Sequence, residues 1–279
     1  MNRFFHALAL TGALATCLLI TTESRAADSP DVRPGMNAET FSGLEWRGIG
    51  PALMSGRIAD IAVDPDRRST WYVAVGSGGV WKTDNRGTTW TSVFDGQGSY
   101  SIGCVTIDPN DSDVIWVATG ENVSGRHVGY GDGVYRSLDA GMTWTNMGLQ
   151  ESEHIGMIRF DPRDSNVVYV AAQGPLWSGG GERGLYKTTD GGTTWQRILG
   201  GGDYTGVNEV HFDPRDPDVI YAIRHQRFRN VPALINGGPE SGIFKSIDAG
   251  QTWTELTTGL PEEDMGKIGL AISPLDPDV

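Results

Sequence analysis

Gly184-Leu185-Tyr186-Lys187-Thr188-Thr189-Asp190-Gly191-Gly192-Thr193-Thr194-Trp195 reads as a hairpin whose turn is written into it. Leu185 and Tyr186 favour an extended chain, Asp190-Gly191-Gly192 supplies residues that tolerate positive φ, and Thr193-Thr194-Trp195 restarts a strand. The frame recurs from Gly133 to Trp144 and from Gly242 to Trp253, with Asp139 and Asp248 in the place of Asp190. A fourth copy ends at Trp90 and carries Asn85 where the others have Asp. Its turn is expected to form as well, because the Asn side-chain oxygen accepts the same local amide bonds.

A second signature precedes each hairpin. Ile58 to Pro65, Ile102 to Pro109, Ile155 to Pro162 and Val207 to Pro214 are apolar-rich runs that each stop at Asp-Pro, where proline lacks the N–H a ladder needs. Tyr72, Trp116, Tyr169 and Tyr221 stand at one fixed interval after those aspartates, inside Val- and Ile-rich strands. A repeat therefore has a strand ending in Asp-Pro, a strand holding that aromatic, a strand of Gly-Val-Tyr character and a strand starting at Thr-Trp. That is a four-stranded antiparallel blade, and its repetition predicts an all-β fold, a β-propeller. A β-sandwich is the alternative, but it does not require one motif in a fixed order.

The S/T-x-D-x-G-x-T-W frame resembles the Asp box, or bacterial neuraminidase repeat. The resemblance implies a structural role for Asn85, Asp139, Asp190 and Asp248, which tie down the turns, and for Trp90, Trp144, Trp195 and Trp253, which cover the gaps between blades. Four blades are present, and Ser273-Pro274 holds the Asp-Pro place of a fifth. Leu44 to Arg47 matches the fourth strand of a last blade. The expectation is that residues 41–279 are the N-terminal part of a larger ring, incomplete at the C-terminus.

Met1 to Ala26 reads as a secretory signal peptide, with an apolar run from Ala7 to Ile20 and a small-x-small site at Ser24-Arg25-Ala26. Residues 27–40 are a polar, Pro-containing leader. The protein is expected to be periplasmic or secreted, with no membrane span after signal removal, and Thr16 is bulky for a lipoprotein box at Cys17. Cys104 is the other of two cysteines, so the mature chain forms no internal disulfide. A net charge of -13 without a Lys/Arg cluster argues against a nucleic-acid partner.

In this strand order the Asp-Pro turns and Asp boxes share one face, and the loops from second to third strand share the other. Gly76 to Gly79 is a minimal loop, whereas Gly120 to Gly133, Gln173 to Gly184 and His225 to Gly242 are long. Local packing alone would favour aliphatic residues there. Instead they carry Arg126, His127, Tyr130, Trp177, Arg183, His225, Arg227, Phe228 and Arg229, with Arg57 and His154 in the blade-linking loops. These are the candidate ligand-binding residues for a peptide, protein or glycan. His127, His154 and His225 lack tight ligand spacing, so neither a metal nor a cofactor is expected.

Trp46-Arg47-Gly48-Ile49-Gly50-Pro51, Ser55-Gly56-Arg57, Gly76 to Lys82, Gly120-Glu121-Asn122 and Tyr130 to Tyr135 together resemble the large secreted bacterial proteins with sortilin-like or glycosyl-hydrolase-like repeats. The first function this implies is a binding module. The second is a glycoside hydrolase with a non-standard carboxylate pair, for which Glu121 and Glu153 are the candidate acid and base. Sialidases, which resemble this chain in their Asp boxes, need an Arg-Ile-Pro motif, and Arg57-Ile58-Ala59 lacks the proline. Xyloglucan-cleaving propellers carry a catalytic Asp two residues before a Gly-Gly pair, and here Gly76 stands in that position before Gly78-Gly79.

Overall fold

Alternation along the second strand of each blade explains how the sheets stack. In a computed structural model, which describes residues 42–43 and 56–278, Ile115 and Val117 pack toward the blade before them. Trp116 and Ala118 pack toward the blade after. Successive side chains leave a strand on opposite faces, and in a stack of sheets both faces are covered, so these strands read as nearly continuous apolar runs. Tyr169 and Ala171 face the fourth blade in the same way, while Val168 and Val170 face the second. Three such cores lie between successive blades, and each fully buried Val, Leu, Ile or Phe contributes about 1.5–3 kcal/mol. Cys104 is a buried free thiol within one of them. The signal peptide, the leader, the strand expected at Leu44 to Arg47, and Val279 lie outside the described residues.

The four blades are antiparallel sheets in chain order. The first contains β1 (Ile58–Val63), β2 (Trp71–Val75), β3 (Gly79–Thr83) and β4 (Thr91–Ser92), and the second β5 (Ile102–Asp108), β6 (Asp111–Thr119), β7 (Val134–Ser137) and β8 (Thr145–Asn146). The third contains β9 (Ile155–Asp161), β10 (Asp164–Ala172), β11 (Gly184–Thr188) and β12 (Gln196–Leu199). The fourth is built from β13 (Thr205–Asp213), β14 (Asp216–Arg229), β16 (Gly242–Ser246) and β17 (Thr254–Leu256), with β15 (Leu234–Asn236) added to an extension of β14. The segment His225 to Gly242, expected as a loop, is thus partly a hairpin. Its residues continue the strand because β14 still finds partners: Arg227 N–H donates to Tyr204 O and Arg229 N–H to Leu176 O.

Each Asp box makes the turn hydrogen bonds that its sequence implies. The Asn85, Asp139, Asp190 and Asp248 side-chain oxygens accept the backbone N–H four residues on, at 2.8–2.9 Å. The Ser or Thr two places before accepts the N–H of Gly87, Gly141, Gly192 and Gly250. These glycines lie at φ 85 to 90°, where a side chain is strained. Trp144 and Trp195 donate their indole N–H back to Val93 O and Met147 O of the preceding blade. Trp253 instead bonds Gly250 O in its own turn while packing against the third core, and Trp90 is half exposed.

A cation stands over the second-strand aromatic in every blade: Lys82 on Tyr72, Arg136 on Trp116, Lys187 on Tyr169 and Lys245 on Tyr221, at 5.0–5.9 Å from the ring centroid. The pairs are direct cross-strand neighbours, so the sheet register sets the contact. On the Asp-Pro face, Asp64, Asp161 and Asp213 each cap their turn and bind Arg67, Arg163 or Arg215. Those arginines reach Asp113, Asp218 and Asp278 of the following repeat. Asp278 follows Ser273 at the interval by which Asp218 follows Asp213, so the fifth repeat keeps the register read from its Ser-Pro. Its Ile268 O accepts from the Asn208 side chain and its Leu270 N–H donates to Glu209.

Candidate functional site

On the long-loop face the first and second blades meet at Glu121. This residue follows Gly120, whose φ of 84° turns the chain out of β6 and against the carbonyl of Glu153. Glu121 is buried, and its carboxylate accepts from Arg57 and, at 2.7 Å, from Ser77 Oγ. It lies directly over Gly76: a β-carbon there would stand 3.0 Å from the Glu121 carboxyl carbon. A carboxylate supplied by the second blade therefore fills the space beside the position where the xyloglucan-cleaving resemblance expects an Asp side chain. Arg57, from the Arg57-Ile58-Ala59 stretch that lacks the sialidase proline, is engaged by the protein's own carboxylate.

Glu153 ends a single 3-10 turn, Gln150–Ser152, at φ 54°. Its carbonyl accepts from Gly131 N–H at 2.7 Å, which fixes it beside the root of the Glu121 loop. Burial pushes its carboxyl above the usual carboxylate range, while Arg183 and Arg227 pull the other way. At this seam the main chain of Glu153 abuts the root of the Glu121 loop, and the two candidate carboxylates stand in unlike surroundings: Glu121 in an ion pair with Arg57, Glu153 without an ion-pair partner within 4 Å among the described residues.

His154 donates from Nδ1 to the Glu121 carbonyl at 2.8 Å. A carbonyl only accepts, so the neutral ring carries its proton on Nδ1 and leaves Nε2 as a buried acceptor. Burial, reinforced by Arg227, lowers its pKa to about 3. His225 is equally buried and lowered to about 4, first by burial and then by Arg227. Neither ring is offered to solvent as the sequence suggested. His127 is exposed, and no group of His, Cys, Asp or Glu able to hold a metal occurs among the described residues.

Two of the expected surface arginines are also interior. Arg183 donates to the carbonyls of Gly180, Gln173, Pro175 and Ser178, all in its own loop. Arg227 donates to Val123 O and Gly174 O. Both are about 2% exposed or less, and burial lowers their pKa to about 10 and about 9, so both remain charged at neutral pH. The expectation that packing would call for aliphatic residues fails for a physical reason. An irregular loop has main-chain carbonyls without ladder partners, and a guanidinium with five donors satisfies several at once.

Arg126 and Arg229 remain at the surface, bonded to Val231 O and Ser124 O. Tyr130 is exposed and its ring lies 5.8 Å from that of His154. Phe228 meets Tyr204 edge to face at 5.0 Å, beside the loop that carries the half-buried Trp177. Tyr130 thus borders the seam through His154, while Tyr204 and Phe228 form a separate ring pair at the fourth blade. Lys267, absent from the sequence-based candidates, joins the site by donating to Asn122 O at 2.7 Å. Its signal was present: it directly precedes the first residue of an inner run, as Arg57 and His154 do.

The family model of sortilin, neurotensin receptor 3, matches residues 132–263. A xyloglucanase of Hypocrea jecorina is 26% identical over 242 residues, covering 76% of this chain and 27% of that protein. Among solved structures, an ancestral GH74 enzyme aligns at a TM-score of 0.57 and 21% identity over 74% of this chain and 26% of its own. The GH74 enzyme of Niastella koreensis aligns at 0.51 and 25% identity, covering 70% and 28%. With the four blades and their boxes, these likenesses define the class: the chain is an Asp-box β-propeller chain. Within that class it resembles the sortilin-like repeat proteins and the GH74 xyloglucanases. It spans about a quarter of the length of the curated relatives it matches.

Proposed function

We propose that this chain contributes the carboxylate seam of an exported glycoside hydrolase acting on a glycan held on the long-loop face. The observation that carries the reading is the Glu121 carboxyl lying over Gly76, where the resemblance to xyloglucan-cleaving propellers calls for an acid. Glycoside hydrolysis needs one carboxyl that holds a proton and one that is ionised. Glu153, with its pKa raised by burial, suits the acid; Glu121, paired with Arg57, suits the base or nucleophile. Tyr130, Trp177, Tyr204 and Phe228 offer ring faces on which sugars stack. The xyloglucanase relatives support a β-glucan backbone as the substrate class, and the reading of residues 1–26 as a signal peptide supports export.

The test is reducing-end release from soluble xyloglucan, mixed-linkage glucan and carboxymethyl cellulose by the full-length protein. Glu121→Gln and Glu153→Gln should each lower kcat by about 100-fold or more while the fold is retained. Binding without turnover on every substrate would instead leave the face as a recognition surface, the binding-module reading.

A further inference from the structure

Glu121 sits at the head of a segment without regular structure, yet a carboxylate serves catalysis only when it is held to within a fraction of an ångström. The main chain that follows it is gripped in an unusual way. Four consecutive carbonyls, Glu121, Asn122, Val123 and Ser124, each accept a hydrogen bond from a side chain of another repeat. His154 of the third blade donates to the first at 2.8 Å, and Lys267 of the fifth repeat to the second at 2.7 Å. Arg227 and Arg229 of the fourth blade donate to the third and fourth at 3.3 and 2.9 Å. Ser124 Oγ adds a bond to Asn236 at 3.1 Å.

The segment is therefore a strap that leaves the second blade and is anchored on the third, fourth and fifth repeats. Three of its four anchors are cations on neutral carbonyls, with charge-assisted bonds stronger than neutral ones. At its head, Glu121 is pinned from the other side by Arg57 and Ser77 of the first blade. We propose that His154, Arg227, Arg229 and Lys267 are positioning residues: they tension this strap and so hold the Glu121 carboxylate over Gly76. The proposal rests on the reading of Glu121 as a reacting carboxylate. It assigns a functional task to the fourth-blade hairpin and to the fifth repeat, neither of which touches the seam through a carboxylate.

Arg229 and Lys267 are the anchors to test, because they are not fully buried and their loss leaves no buried charge behind. In the full-length protein, Arg229→Ala combined with Lys267→Ala should lower kcat on the best soluble glucan about 10-fold, with KM changed less than 2-fold. Exchange of the Glu121 amide, which donates to Gly129 O and Ser101 Oγ, should quicken at least 10-fold, with an unchanged global melting temperature. Lys267→Arg, which keeps a cationic donor, should restore most of the single Lys267→Ala loss. A double variant with wild-type kcat and an equally protected Glu121 amide, alongside an inactive Glu121→Gln, overturns this inference and leaves the hydrolase reading intact. An inactive wild-type protein, or a fully active Glu121→Gln, overturns both.

Discussion

The carboxyl group of Glu121, carried by the second blade, lies over the α-carbon of Gly76 in the first. The glycine is what makes room, since a β-carbon would meet the carboxyl carbon, Cγ and Oε1 at 3.0 Å each. Gly76→Ala should thus push the carboxylate off its place beside Arg57 with little effect on the sheet, because Gly76 lies beyond the end of β2. The expected outcome is a loss of about 10-fold or more in kcat with a melting temperature within about 2 °C of wild type. A fully active Gly76→Ala protein would show that the packing of these two residues is irrelevant to turnover.

Stability should fall with acid earlier than carboxylate titration alone would require. His154 and His225 are lowered to about 3 and about 4 in the folded protein, whereas an unfolded histidine titrates near 6.5. Below that value the unfolded chain binds more protons than the folded one, so stability declines as pH drops through the window from about 6.5 to about 4. The limit is about 1.4 kcal/mol per pH unit for each histidine. Below about pH 4, Asp64 and Asp161, whose carboxyls are held under their ordinary value, add a second decline. Neutralisation of the -13 net charge acts over the same range, so the informative quantity is the difference between wild type and His225→Asn. Melting profiles from pH 7.5 to 4.5 should converge as pH falls, and parallel profiles would contradict the assignment.

The Asp boxes should behave as turn anchors only. Asp190 receives the Thr194 N–H and hydroxyl and the Thr188 hydroxyl, and these bonds lower its pKa to about 2. Asp190→Ala should reduce the melting temperature by about 2–4 °C without altering glycan affinity. Asn85→Ala, which removes two accepted bonds and one donated bond, should cost no more. Affinity electrophoresis beside a thermal melt checks both, and weakened binding by a folded Asp190→Ala protein would place the ligand on the Asp-box face.

Arg183→Lys should unravel the loop from Gln173 to Arg183. A lysine ammonium has three donors on a flexible stem and cannot span the four carbonyls that the guanidinium joins. Leaving buried carbonyls without partners is expected to cost about 3 kcal/mol. Urea unfolding should register the loss, and amide exchange should localise it to that loop; a stability within experimental error of wild type would contradict the role.

The blades were legible in the sequence because everything that defines them is local. Asp190 bonds residues two and four positions away, Tyr169 and Lys187 meet through a hairpin register, and the Asp-Pro stop needs no distant partner. Even the fifth repeat could be read from Ser273-Pro274, and its Asp278 bonds Arg215 as the frame requires. The site was legible only in part. Glu121 and Glu153 could be named as candidate acids from their loops, but nothing local announces that Glu121 would cross to Gly76, 45 positions earlier in the chain. The inward turn of Arg183 and Arg227 was hidden for the same reason: a basic residue in a long loop looks alike whether it meets solvent or main-chain carbonyls. Lys267 reaches Asn122 over a separation of 145 residues, a contact that only the curvature of the blade stack creates.

If the carboxylate supplied by Glu121 takes the place of an acid at Gly76 in turnover, moving it to that position should restore activity. Reducing-end release from soluble xyloglucan would be measured for the full-length wild type, for Glu121→Ala, and for Glu121→Ala combined with Gly76→Asp. Removing Glu121 clears the atoms that crowd a side chain at Gly76, and Gly76 is not among the positive-φ glycines, so the new aspartate fits. The single variant should be inactive and the double variant should recover at least about 10-fold of the lost kcat. A Glu121→Ala protein that hydrolyses as fast as wild type would contradict this role of Glu121.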